Sequence, residues 1–160
     1  MEEIFKLVQS DPEVQFTADD VEKWMEKIDD SQYNYLEGKT TLVLDQEKEE
    51  ALASRFDNEC REKMKESLVM YRLVNTLQET RLGRYCRWFS EKDGKPILHG
   101  GGYLVKIIFA DKGVCLLCER VKKYKMQVKM DETVVFQKMT AEEWVVVMAN
   151  DYAEKQNKHV

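Results

Sequence analysis

The sequence predicts an α+β protein: a helical N-terminal half with one long helix, then a small five-stranded antiparallel barrel of SH3-like or OB-like size and a C-terminal helix. Three observations support this. Residues 46–82 contain neither Gly nor Pro and are rich in strong helix formers. Residues 84–139 instead fall into short β-branched, aromatic or alternating runs separated by turn residues. The charge also changes sign, with 20 acidic and 10 basic side chains in residues 1–80 against 10 and 15 in residues 81–160. The expected division is an acidic helical region, 1–82, and a basic barrel with its closing helix, 83–160. A chain of 160 residues buries enough surface to fold without a metal or a disulfide.

In chain order, Ile4, Phe5 and Val8 place a short helix over Glu2–Gln9, ending before Pro12. Thr17 followed by Asp20 reads as a capping box, and Val21, Trp24, Met25 and Ile28 recur at helical spacing over Ala18–Ile28. The pattern then loosens, and Thr40–Leu44 suits a short strand or an extended connector. In the long helix, Leu52, Phe56, Cys60, Met64, Leu68, Tyr71, Val74 and Leu77 recur every four and then every three residues. Steps of four rotate a stripe around a 3.6-residue helix, so it wraps and makes no straight coiled-coil seam. The helix is expected to extend to Leu82, whole or broken near Arg61–Glu66. Its turning face needs cover from the barrel, from the N-terminal helices or from another subunit. Leu52, Phe56, Met64, Leu68 and Tyr71 form the candidate helix interface.

Gly83 stops the helix. Strands are expected at Arg84–Ser90, Tyr103–Phe109, Val114–Val121, Tyr124–Met130 and Thr133–Met139, joined by short turns that make chain neighbours antiparallel. Residues 123–130 alternate strictly, with Tyr124, Met126, Val128 and Met130 on one face and lysines and Gln127 on the other, as in a half-buried strand. Thr140 with Glu143 forms a second capping box, opening a helix through Trp144 and Tyr152; its Val145-Val146-Val147 run needs tertiary support. The polar tail 154–160 is expected to fray.

Few chemistries fit. Cys115 and Cys118 make a C-x-x-C, but no second pair of Cys or His completes a zinc site, and on a regular strand the two thiols point to opposite faces. They read as free thiols. Gly100-Gly101-Gly102 leads into a strand with Lys106 inside it, unlike a phosphate loop, whose Lys follows Gly and opens a helix. A tight bend or close backbone approach is the expected role. Histidine is confined to His99 and His159, so a nucleophile–His device would have to use His99, for instance with Cys86. The expectation is therefore no enzyme and no cofactor. Residues 1–20 lack a signal-peptide pattern, and the longest apolar stretches are far short of a membrane span. With four unpaired cysteines and no N-x-S/T sequon, this fits a cytoplasmic or other reducing compartment.

Binding remains. Residues 81–130 hold 12 basic and 4 acidic side chains. Arg84, Arg87, Arg120, Lys122, Lys123, Lys125 and Lys129 are the candidate interaction surface, with Tyr85, Trp88 and Tyr103 as aromatics that either stack on bases or fill the core. The partner is expected to be a protein or a second copy of the chain, with nucleic acid as the alternative; equally, the basic face can simply meet the acidic helices.

Gly101-Gly102-Tyr103-Leu104-Val105-Lys106, followed by Lys123-Tyr124-Lys125-Met126-Gln127-Val128 and then Val134-Val135-Phe136-Gln137-Lys138, resembles small uncharacterised proteins of large nucleocytoplasmic DNA viruses. The resemblance covers residues 84–140. It implies a virion-associated or other viral structural component and carries over no catalytic residue.

Overall fold

Thr17 opens the first helix as expected. Its hydroxyl accepts from Asp20 N at 3.2 Å and its own N–H donates to Asp20 Oδ2 at 3.3 Å, so two of the orphan N–H groups of α1 (Ala18–Glu26) are satisfied. The computed structural model describes residues 17–28, 30–121 and 124–158. The expected helix Glu2–Gln9, residues Lys122 and Lys123, and His159 lie outside these. Mixed helices and one antiparallel sheet make the chain α+β.

Two compact units divide the structure. One holds the described residues up to Gln46 and from Met139 onward; the other is Glu47–Lys138. This differs from the expected boundary at 82/83, because residues 47–82 contribute helices and a strand to the sheet unit.

In the first unit, α1, a 3-10 segment (Asp30–Leu36), the start of α2 (Thr41–Ala53) and α4 (Ala141–Lys158) enclose Leu36, Leu44, Met139, Val146 and Val147. The expected strand at Thr40–Leu44 is thus a helix start: Thr40 Oγ1 accepts from Val43 N at 3.2 Å and its carbonyl from Leu44 N at 3.0 Å. The second capping box forms, with Glu143 N donating to Thr140 Oγ1 at 3.2 Å and Thr140 N to Glu143 Oε1 at 3.1 Å. Glu143 is fully buried and accepts a further bond from Tyr35 Oη at 2.8 Å. The valine run is buried, which supplies the support it needed, and α4 continues through the tail to Lys158.

In the second unit the expected long helix is two helices and a strand. α2 ends at Ala53, and Asp57, in an extended conformation, caps α3 (Asn58–Ser67) by accepting from Cys60 N at 2.8 Å. Beyond Leu68, Tyr71–Val74 forms β1, so Tyr71 belongs to a strand. The break at 54–57 lets Leu52, Phe56, Met64 and Leu68 pack into one cluster although they no longer share one helix. Then come β2 (Tyr85–Lys92), β3 (Lys95–Leu98), β4 (Gly102–Ala110), β5 (Gly113–Arg120), β6 (Tyr124–Lys129) and β7 (Val134–Lys138). Asp93 and Gly94, at φ 54° and 76°, turn the β2–β3 hairpin where a turn was expected, but β3 itself was not among the expected strands.

The strand order is β1-β7-β2-β4-β5-β6, with β3 paired to β2 off this path. The sheet is open, its path ending at β1 and β6, where a small, partly open five-stranded barrel was expected. Nor do β6 and β7 pair as a hairpin; β7 inserts between β1 and β2. The β6–β7 connection, five Cα steps from Lys129 to Val134, reaches about 17 Å extended. β6 lies four places from β7 in the order, about 19 Å across a flat sheet. The sheet must therefore curl, helped by a bulge between Leu104 and Lys106. Its concave face buries Val74, Cys86, Trp88, Leu104, Leu116, Cys118, Val128 and Val135 as one core.

Candidate interaction face

Strand alternation and register sort the side chains of the sheet unit. On the convex face of β1, β7 and β2, Phe136 and Phe89 pack against Leu52, Phe56, Met64 and Leu68 of the α2–α3 segment, with Tyr71 beside them. The candidate helix interface is thus spent on this chain's own core: Leu52 and Leu68 are fully buried, and Phe56 packs edge-on to Phe89 at 5.2 Å between ring centroids.

The convex face of β4, β5 and β6 differs. Cross-strand register aligns Tyr85, Tyr103, Glu119 and Lys125 in one row, then Lys106, Leu117 and Gln127, then Ile108, Cys115 and Lys129. Tyr103 is 51% and Val105, the bulged residue, 44% exposed. Tyr85 meets the Tyr103 ring edge-on at 5.0 Å and donates its hydroxyl to Gly100 O at 2.8 Å. Lys125 and Lys129 are exposed on this face, and Lys129 Nζ lies 3.6 Å from a Glu132 carboxylate oxygen.

Other expected members of the basic surface work elsewhere. Arg87 Nε donates to His99 O at 3.0 Å and Arg120 Nε to Gly101 O at 2.5 Å, so both fasten the glycine segment. That segment is a close approach, as expected: at Gly101, φ is +89° and an added Cβ would lie 2.0 Å from Cys86 O. Arg84 is half-buried, its Nε without a hydrogen-bond partner among the described residues. Trp88 is buried and stacks on His99 at 5.8 Å, so it is core and cannot reach a base. The sequence reading omitted Val105 and Lys106 from the face. Its strand assignment held there, but only the bulge turns both residues outward.

The His99 and cysteine side chains form contacts that a catalytic or metal site could use. His99 Nε2 and Ser90 Oγ are 2.8 Å apart, the spacing of a nucleophile and its base, yet among the described residues no carboxylate partners the imidazole. Cys115 and Cys118 take opposite faces of β5, as period two requires, and all four cysteines are free. Cys118 shares a hydrogen bond with Cys86 in the concave core; that bond, with burial, pushes the Cys118 thiol well above its ordinary range. Among the described residues no group of His, Cys, Asp and Glu is placed to hold a metal ion, and no helix is long and apolar enough to cross a membrane.

No protein-family model, curated protein or solved structure matches this chain.

Proposed function

We propose that this protein is a non-enzymatic interaction component that contacts a protein partner, or its own copies, through the β4–β6 half of its sheet. One observation carries the reading. Of the ten large hydrophobic side chains exposed among the described residues, five fall within β4–β6 and their turns: Tyr103, Val105, Phe109, Val121 and Tyr124. Register puts Tyr103 and Val105 on the convex face with Lys106 and Lys125, and Phe109 and Tyr124 on the concave face, so the convex pair is the part of this concentration that makes an interface, an aromatic anchor inside a polar rim. Under the viral strand-pattern resemblance, the assembly would be part of a virion.

A second reading is nucleic-acid binding, favoured by the row in which Tyr85 and Tyr103 run toward Lys125, since stacking aromatics beside cations suit single strands. Val105, Phe109 and Val121 have no role in it, and Glu119 sits inside the row.

Light scattering coupled to size exclusion, with and without a mixed-sequence oligonucleotide at low and physiological salt, tests the pair of readings. The protein reading expects a discrete assembly that ignores oligonucleotide and dissociates in a Tyr103→Ser/Val105→Ser variant. A monomer that binds oligonucleotide with steep salt dependence, abolished by Lys125→Glu/Lys129→Glu, would replace it with the nucleic-acid reading.

A further inference from the structure

We infer that the free edge of β6 accepts an extended segment of a protein partner as an added antiparallel strand, and that this segment alternates acidic and aliphatic residues. The inference rests on the protein-interaction reading and names its mode and partner chemistry. β6 ends the strand order, so among the described residues one side of its backbone has no strand beside it. The core also stops short there: on the concave side Val128 is buried, Met126 and Met130 are half-buried, and Tyr124 is 64% exposed. A strand laid along β6 would put every second side chain next to Tyr124, Met126 and Val128, where aliphatic residues extend the core. Its other side chains would lie beside Lys125, Gln127 and Lys129 on the convex face, where acidic residues match the charge. The one ion pair formed by these two lysines among the described residues, Lys129 with Glu132, is already of that kind.

A second copy of β6 is a poor occupant. Antiparallel pairing about Gln127 would set Lys125 opposite Lys129 twice, and like charges directly opposite destabilise a sheet. Lysines on an edge strand deter that pairing while leaving the edge open to an acidic one.

The test uses the full chain and three labelled synthetic decapeptides: alternating Glu-Val, alternating Lys-Val, and a Glu block followed by a Val block. Fluorescence anisotropy is expected to show the Glu-Val peptide binding about tenfold or more tightly than Lys-Val, and the preference inverting in Lys125→Glu/Lys129→Glu, because two cross-strand pairs change sign. Both lysines are exposed, so the variant should keep the wild-type circular dichroism. Amide exchange is expected to slow across Tyr124–Lys129 on binding. The proposal is overturned if the block peptide binds as well as the alternating one, if the preference does not invert, if protection falls outside β6, or if an oligonucleotide at physiological salt displaces the peptide. Absence of peptide binding in a protein that still assembles through Tyr103 and Val105 overturns the edge mode alone. Loss of both overturns the protein-interaction reading itself.

Discussion

Gln137 is the most exacting position in the sheet unit. It is fully buried on β7, on the concave side of the sheet, and its amide is saturated: Oε1 accepts from Arg72 Nη2 at 2.8 Å and Arg81 N at 3.0 Å, while Nε2 donates to Arg81 O at 2.7 Å and to Cys86 Sγ at 3.5 Å. Gln137→Leu keeps the approximate volume and deletes all four contacts. The half-buried Arg81 N–H and C=O and one N–H of the buried Arg72 then lose this partner; Arg72 retains its bond to Glu79 O at 2.6 Å. With about 1–3 kcal/mol for each buried group left unmade, and relaxation sparing part of it, the loss should be about 3–4 kcal/mol. That is a large share of a typical domain's stability of about 5–15 kcal/mol. Trp88 lies in the same core, so urea unfolding followed by its fluorescence in a Trp24→Phe/Trp144→Phe background reports on this unit directly. A loss below about 1 kcal/mol would refute the claim that this amide organises β1, β7 and the 77–82 segment. Arg72→Met/Gln137→Leu should lose less than the two single changes combined, since removing both partners strands fewer polar groups.

Further outcomes follow from the same geometry. Gly101→Ala should cost more than about 3 kcal/mol or prevent folding, because left-handed backbone and the Cys86 carbonyl both exclude a methyl group; thermal unfolding checks it. Leu116→Ala should cost about 2–5 kcal/mol by leaving a cavity in the fully buried centre of the concave core, measured by urea titration. In native protein one thiol of four should react with an aromatic disulfide reagent, the exposed Cys60, and it should react slowly below pH 9 because its hydrogen bond to Asp57 raises its pKa; three fast-reacting thiols would contradict the burial pattern. The Cys60 backbone N–H holds the Asp57 carboxyl below its ordinary value, so the cap stabilises α3 at pH values above the normal carboxylate range. That contribution is lost as pH falls through the lowered value. Asp57→Asn should remove this pH dependence, read from amide exchange at the start of α3, while Asp57→Ala should speed that exchange at neutral pH.

Much of the fold was legible because it is local. Capping boxes at Thr17 and Thr140 involve groups three residues apart, and the alternation of 124–129 survives in β6, where Met126 and Val128 are covered while Lys125, Gln127 and Lys129 are exposed. Local signals misled where two elements share one spacing. Every-four recurrence across Leu52–Leu68 is genuine helix periodicity on both sides of a break at 54–57, and the only sign of that break was Asp57, a cap residue hidden among other polar residues. Tyr71 and Val74, three apart, fit a helix as well as they fit a strand. Of the candidate site, Lys125 and Lys129 stand where alternation put them, whereas Arg87 and Arg120 turned inward to carbonyls that no spacing rule connects to them.

The sequence by itself determined the α+β class, most strand positions, the opposite facing of Cys115 and Cys118, and the need for glycine at 101, because each depends on periods of two or 3.6 or on backbone sterics within a few residues. Only the tertiary structure decided that the stripe on Leu52, Phe56, Met64 and Leu68 is covered by Phe89 and Phe136. It alone decided that β7 slots between β1 and β2, and that β6 is left with an open edge. Those outcomes turn on which strands exchange backbone hydrogen bonds across more than sixty residues of chain, as between Tyr71 and Lys138, and on how far the sheet curls to let a short connection close. Such pairings are selected by complementary burial on two distant segments at once, which no local pattern in either segment encodes.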